Sequence, residues 1–113
     1  MDRVTHESAD DTEAVEGVHL GQLAAGEEMS VQHFYIEPGA TVPKHDHPHE
    51  QAGYVTAGTL TFVLEDGEEV VCGPGDSYVL AGDEVHGAEN RGDVPVEGVD
   101  VFSPPRTDPD WQE

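Results

Sequence analysis

The sequence predicts an all-β domain of the sandwich or barrel type. Short runs of β-branched and aromatic residues recur about every 8–12 residues, and turns that contain glycine separate most of them. No stretch of useful length shows the 3.6-residue period of an amphipathic helix, and no tandem repeat of the solenoid type occurs. At 113 residues the chain fits one domain with one modest core.

The predicted strands are short and follow one another closely. They cover residues 29–36, 51–57, 59–65, 70–72, 77–81, 85–89 and 94–102. The turns EPGA, EDGEE and GPGD lie between them and carry the residue types that turns require. Residues 1–17 are acidic and poor in large apolar side chains, so we expect a mobile N-terminal segment followed by one domain over 18–113.

The charge balance limits the partners of this protein. The chain has 25 acidic residues against four Lys and Arg, a formal net charge of −21. Such a field repels nucleic acid and anionic membranes, so we expect neither as a partner. An acid-rich, lysine-poor chain resembles the proteins of extreme halophiles. We therefore expect a haloarchaeal origin and a fold that needs molar salt, because salt screens the self-repulsion.

The sequence also predicts a cytoplasmic location. No apolar stretch approaches the ~20 residues that span a bilayer, and the first residues have no apolar core of a signal peptide. Cys72 is the only cysteine, which excludes an internal disulfide and fits a reducing compartment. We expect Cys72 to be a small buried residue of a strand.

Three of the seven histidines lie in PKHDHPHEQ, residues 43–51. Side chains two apart on a strand point to the same face, so His45 and His47 can bind one metal ion together. Pro48 interrupts the strand, so alternation alone does not decide which later residue joins them. A regular strand would place His49 and Gln51 on the same face and Glu50 on the other, but His49, Glu50 and Gln51 all stay open as further ligands on this reasoning.

Two gapped motifs resemble those of the cupins. The first is Gly39-x5-His45-x-His47-x3-Gln51-x6-Gly58, with Gln where the usual Glu ligand stands. The second is Gly75-x5-Ala81-x-Asp83-x2-His86-x3-Asn90, with Ala at the usual Pro and Asp at the usual Gly. The resemblance covers roughly residues 30–102 and implies a cupin double-stranded β-helix, a jelly-roll barrel.

The resemblance also implies one divalent metal ion, whose identity among Mn, Fe, Ni, Zn and Co stays open. The implied ligands are His45, His47, Gln51 and His86, and the spacing to Gly58 favours Gln51 over Glu50. A neutral Gln oxygen leaves the full +2 charge on the ion, which favours Lewis-acid chemistry over the stabilisation of high-valent iron.

The C-terminal segment VDVFSPPRTDPDW, residues 99–111, belongs to neither motif. Together with HxHPHEQ it resembles a subset of small cupins that includes the KdgF-type proteins of pectin and alginate breakdown. These promote ring opening of 4,5-unsaturated uronates to linear ketouronates. The resemblance implies that Asp100 moves a proton, Phe102 stacks on the sugar ring and Arg106 binds the carboxylate. The alternative is structural, with Phe102 in the core and Arg106 paired with a surface acid.

The remaining histidines have lesser expected roles. We expect His49 at the rim of the site in contact with substrate, and His33 either near the metal or outside the barrel, whereas His6 and His19 look incidental. The function we expect is a metal-dependent lyase or isomerase acting on a small carboxylate-bearing molecule. The alternatives are a non-catalytic module that binds metal or sugar, and an iron-dependent dioxygenase. By analogy with cupins of this size, we expect a homodimer.

Overall fold

A computed structural model describes residues 1–8 and 11–107, and this part of the chain forms ten strands and one short 3₁₀ turn. The strands are β1 Thr12–Val15, β2 Val18–Ala25, β3 Ser30–Ile36, β4 Thr41–His45, β5 Glu50–Ala57, β6 Leu60–Leu64, β7 Glu69–Cys72, β8 Ser77–Leu80, β9 His86–Glu89 and β10 Val96–Ser103. The 3₁₀ turn covers His6–Ser8. The end of the C-terminal segment singled out above, including Asp108 and Trp111, lies outside the described residues.

The strands form two antiparallel sheets. The larger sheet has the order β1-β2-β3-β10-β5-β8 and the smaller has the order β4-β9-β6-β7. The last strand, β10, lies between β3 and β5, and its register pairs Asp100 with Gln32 on one side and with Gly53 on the other. β10 is thereby brought beside the strand that follows the histidine cluster.

The all-β jelly-roll prediction is confirmed. Each of the seven predicted strands is present within two residues of its expected bounds, as β3 and as β5 to β10. Three further strands, β1, β2 and β4, were not predicted. Pro43 lies inside β4, which is tolerated because β4 is an edge strand of its sheet.

The two other unpredicted strands form a hairpin. β2 contains Gly21 and three alanine or glutamine positions of low β propensity, and β1 lies in the acidic N-terminal segment. The turn between them contains Gly17, whose φ of 78° is a left-handed conformation that glycine adopts without strain. β1 therefore joins part of the acidic segment to the edge of the larger sheet.

The apolar core lies between the sheets. Its buried members are Val18, Phe34, Ile36, Val55, Leu60, Phe62, Cys72, Leu80, Ala88 and Val96. Burial raises the pKa of the Cys72 thiol, which agrees with its expected role as a small buried residue of a strand. In the described part of the chain, no helix has the length and apolar character needed to cross a membrane.

Candidate metal centre

A cavity of about 490 Å³ opens between the sheets, within the range of small-molecule sites. Core residues such as Phe34, Leu60 and Phe62 form its apolar wall. Its polar wall is formed by residues from both sheets and from the C-terminal segment. These are Gln32, Lys44, His45, Asp46, Gln51, Tyr78, His86, Asp100 and Arg106.

Three histidines from different elements converge beside this cavity. His45 ends β4 and pairs in register with His86, which begins β9, whereas His47 lies in the loop after β4. One ligand nitrogen of each ring lies within 4.8 Å of the other two. The convergence of His45 and His47 was predicted from strand alternation, and this reason is wrong because the strand ends at His45. The loop turns His47 toward the other two rings.

Each of the three rings has its Nδ1 atom fixed by a backbone carbonyl. Nδ1 of His45 lies 2.9 Å from the oxygen of Pro43, and Nδ1 of His86 lies 2.8 Å from that of Glu84. Nδ1 of His47 lies 3.1 Å from the carbonyl oxygen of His49. A carbonyl oxygen only accepts, so each Nδ1 carries the proton and each neutral ring keeps its lone pair on Nε2. This is how metal-binding histidines are held in the correct tautomer.

The contact between His47 and Gln51 shows whether these side chains suit a bound metal ion. Nε2 of His47 lies 3.1 Å from Oε1 of Gln51. In the tautomer just derived, both atoms present lone pairs to each other, an unfavourable arrangement that a cation bound by both atoms would relieve. The residues present therefore fit a divalent ion with a three-His, one-Gln ligand set.

Burial supports the same protonation states. Burial lowers the pKa of His47, and the positive charge of Arg106 lowers it further. Gln51 acts in the opposite direction, because its Oε1 can accept a hydrogen bond only from the protonated ring. Burial also lowers the pKa of His86, although its bond to the carbonyl of Glu84 acts in the opposite direction. Neutral imidazole is the form that binds metal ions, so the local environment favours the binding state.

The loop after β8 holds the loop that carries His47. The backbone N–H of Asp83 donates a 2.7 Å hydrogen bond to the carbonyl of His47. Asp83 has a φ of 65°, a left-handed conformation, and it occupies the motif position where cupins usually have glycine. Aspartate is one of the few residues other than glycine that enters this region readily. The departure from the motif therefore keeps the backbone geometry that the site needs.

Asp100 lies in the cavity wall and is almost completely buried. Tyr78 donates a 2.5 Å hydrogen bond from its hydroxyl to Oδ1 of Asp100, and Gln51 also hydrogen-bonds the carboxylate. Burial raises the pKa of Asp100 to about 6, although both hydrogen bonds and the charge of Arg106 act to lower it. A carboxyl group with such a pKa can gain and lose a proton near neutral pH.

The bond between Gln51 and Asp100 explains the departure from the usual Glu ligand. Gln51 donates to the carboxylate with its amide nitrogen, which turns Oε1 toward His47 and the expected ion. A glutamate at this position would instead bring a second buried carboxylate against Asp100 and repel it. The amide therefore links the metal ligands to the buried acid without adding negative charge.

Arg106 is held by its backbone and by an aromatic ring. Its N–H donates a 2.8 Å hydrogen bond to Oγ of Ser30, and Ser103 Oγ donates a 2.7 Å bond to the carbonyl of Glu28. The guanidinium carbon lies 5.3 Å from the centroid of the Phe102 ring, a cation–π contact. Phe102 is fully buried and lines the cavity, so it supports Arg106 there.

The structure separates the other candidate residues. Glu50 is exposed whereas Gln51 is buried, so on β5 only Gln51 faces the cavity. The His49 ring lies 5.5 Å from that of His47, measured between centroids, but His49 is not part of the cavity wall. His33 lies on the outer face of β3, because its neighbours Gln32 and Phe34 point into the cavity.

Four polar residues of the cavity wall were not predicted from the sequence, namely Gln32, Lys44, Asp46 and Tyr78. Tyr78 pairs with Gly53, and a Cβ atom on Gly53 would lie 2.1 Å from the tyrosine ring, so only glycine allows the ring to cross over to Asp100. Lys44 and Arg106 are two of the four basic residues in a chain of net charge −21. Arg91, by contrast, is paired with acids outside the cavity.

Comparisons with known proteins identify the family. The sequence profile of the cupin domain matches residues 32–102, so the chain belongs to the cupin family. The pectin degradation protein KdgF of Dickeya dadantii (strain 3937) is 38% identical over 80 residues, 71% of this chain and 70% of that protein. The L-ectoine synthase of Mycobacteroides abscessus is 37% identical over 73 residues, 64% of this chain and 55% of that enzyme, so the chain spans little more than half of it.

Solved structures agree with this assignment. KdgF from Halomonas sp. superposes with a TM-score of 0.85 at 28% identity, covering 96% of this chain and 97% of that one. An RmlC-like cupin from Shewanella frigidimarina NCIMB 400 gives 0.80 at 27% identity, covering 96% and 98% of the two chains. The resemblance to cupins, and to KdgF proteins among them, is therefore confirmed.

Proposed function

We propose that this protein is a metal-dependent cupin enzyme that opens the ring of a 4,5-unsaturated uronate to give a linear ketouronate. The similarity to the pectin degradation protein KdgF supports this reaction class. The observation that carries the proposal is the composition of one cavity wall. It combines metal-binding side chains, the buried acid Asp100 and two cations, Lys44 and Arg106.

The cations account for the choice of an acidic substrate. On a chain of net charge −21, an anion is repelled almost everywhere on the surface. In the cavity wall, Lys44 and Arg106 offset the acids Asp46 and Asp100, so the repulsion of an anion is weaker at this wall. The planar guanidinium of Arg106 can bind both oxygens of the uronate carboxylate, and Lys44 adds a second positive charge. We infer that these two residues orient the sugar with its carboxylate toward them.

The reaction requires proton movement but no net oxidation or reduction. The hydroxyl on C1 loses its proton as the C1–O5 bond breaks, and the enol left at C4, C5 and O5 takes up a proton at C4 and becomes a ketone. His45, His47, Gln51 and His86 would hold a divalent ion, which would supply Lewis-acid polarisation of a substrate oxygen. Asp100 accepts the hydroxyl proton and returns it to the enol, which suits its pKa of about 6.

The test is to identify the product by NMR. Unsaturated uronate monomers are incubated with protein that was purified in high salt and reconstituted with Ni²⁺, Mn²⁺, Zn²⁺, Co²⁺ or Fe²⁺. We expect at least one of these metals to support formation of the linear ketouronate faster than the spontaneous reaction. Binding without conversion would favour the non-catalytic module, and oxygen consumption by the Fe²⁺-loaded protein would favour the dioxygenase.

A further inference from the structure

A second cluster of potential metal ligands lies on the outer face of the larger sheet. His33 faces outward from β3, and the N-terminal segment places His6 and Asp11 over it. The rings of His6 and His33 lie 4.0 Å apart between centroids, and Nε2 of His6 lies 3.5 Å from Oδ2 of Asp11. One ligand atom from each of the three residues lies within 4.8 Å of the other two.

The buried member of this cluster has a nitrogen atom that the described residues leave unsatisfied. The His33 side chain is only 9% exposed, and its Nε2 lies 2.8 Å from Oε2 of Glu97. The carboxylate accepts, so Nε2 carries the proton and Nδ1 is the nitrogen that remains. Nδ1 is buried and has no hydrogen-bond partner within 1–8 and 11–107.

This unsatisfied nitrogen points to a ligand. If the His33 ring is neutral, the lone pair on Nδ1 receives no hydrogen bond. If the ring is protonated, the buried N–H at Nδ1 has no acceptor. Either state leaves a buried polar atom unpaired, which native proteins avoid. A bound metal ion would satisfy Nδ1, and the contact between Nε2 and Glu97 is the carboxylate–histidine arrangement that orients metal ligands.

We propose that His33, His6 and Asp11 form a second binding site for a divalent transition-metal ion, with Glu97 orienting His33. Two imidazoles and one carboxylate suit Zn²⁺, Co²⁺ or Ni²⁺ rather than Mg²⁺ or Ca²⁺. The ion ties the N-terminal segment to the outer face of β3. The protein therefore binds two ions per chain, one at the cavity and one on this face, and the second site does not depend on the proposed enzymatic function.

The test isolates the second site in the full-length chain. The double substitution His47→Ala/His86→Ala removes two ligands of the cavity site. Co²⁺ binding is then measured by calorimetry and by visible absorption, which reports the ligands around Co²⁺. Titrations contain ~1 M KCl and excess Mg²⁺, so that screening and a hard competing ion suppress loose binding to the many surface acids. We expect one equivalent of Co²⁺ to bind.

Added substitutions assign the ligands. His6 and Asp11 are exposed, so His6→Ala and Asp11→Asn should leave the fold intact while weakening Co²⁺ binding at least tenfold. Glu97→Ala should weaken it by about 10–100-fold, as loss of an orienting partner does. Asp93→Asn is the control and should have no effect, because Asp93 is exposed and belongs to none of the clusters of potential metal ligands among the described residues. Absence of Co²⁺ binding in the double variant, or binding that survives His6→Ala unchanged, would overturn the second site.

Discussion

The Tyr78 hydroxyl donates a 2.5 Å hydrogen bond to the Asp100 carboxylate, and the tyrosine ring reaches it by crossing over Gly53. Burial raises the pKa of the Tyr78 hydroxyl, and the adjacent carboxylate raises it further, so Tyr78 stays a donor throughout the neutral range. Asp100 in turn hydrogen-bonds Gln51. A buried acid on β10 thus connects a tyrosine on β8 with a candidate metal ligand on β5.

The raised pKa of Asp100 predicts a pH-dependent stability of the metal-free protein. The folded state holds the proton up to about pH 6, whereas the unfolded chain releases it near the ordinary value of 3.8. The stabilising contribution is therefore present at low pH and is lost as the pH rises through about 6. Relative to Asp100→Asn, the wild type should lose roughly 2 kcal/mol of unfolding free energy between about pH 4.5 and 7.5.

Urea unfolding of both proteins with a chelator present checks this difference. The exposed Asp93 lies outside the cavity wall, so Asp93→Asn is the matched control and should follow the wild type closely at all pH values. A difference between wild type and Asp100→Asn that stays constant over this range would contradict the raised pKa.

The metal site predicts which histidines control metal content. His47→Ala and His86→Ala each remove one of the four candidate ligands, so the remaining three bind the ion more weakly. Each should therefore reduce occupancy of the cavity site at least tenfold. Metal analysis after dialysis against a weak chelator measures this loss, and His19→Ala serves as a surface control. Full retention of this ion in either variant would show that the ligand set is wrong.

Arg106 predicts how the substrate is recognised. Arg106→Lys keeps the positive charge but loses the planar two-point contact, so binding of a uronate should weaken by about 10-fold or more. Metal content and unfolding temperature should hardly change, because the backbone bond to Ser30 remains. Calorimetry with a saturated uronate as ligand measures the effect. Equal affinity of the two proteins would argue against Arg106 as the carboxylate-binding residue.

The charge of the chain predicts a requirement for salt. With a net charge of −21, self-repulsion strains the fold in dilute buffer, and molar salt shortens the screening length to roughly 3 Å. The unfolding temperature should rise strongly between ~0.1 M and ~3 M KCl. Calorimetric scans at the two concentrations measure it. Equal unfolding temperatures would remove the proposed adaptation to high salt.

Local sequence pattern predicted much of the fold and the four candidate ligands. Strands with alternating apolar residues could be predicted because the alternation can be read within each short segment. β4 was missed because Pro43 interrupts this alternation. Spacing within the two motifs indicated His45, His47, Gln51 and His86. The wall residue Tyr78 was not predictable in the same way, because its place depends on its register with Gly53, a pairing between distant segments. The N-terminal segment gave no signal that it would cover His33.

The proposed function requires that Asp100 acts chemically in the ring opening of a 4,5-unsaturated uronate beside the candidate metal site. The most direct measurement is the initial rate of loss of the C4=C5 ultraviolet absorbance, compared between metal-loaded wild type and Asp100→Asn at equal metal content. We expect the wild type to exceed the spontaneous rate and Asp100→Asn to be slower than the wild type by about 10²–10⁴-fold, because a general acid–base is lost. Equal rates for the two proteins, or no acceleration by the metal-loaded wild type, would contradict it.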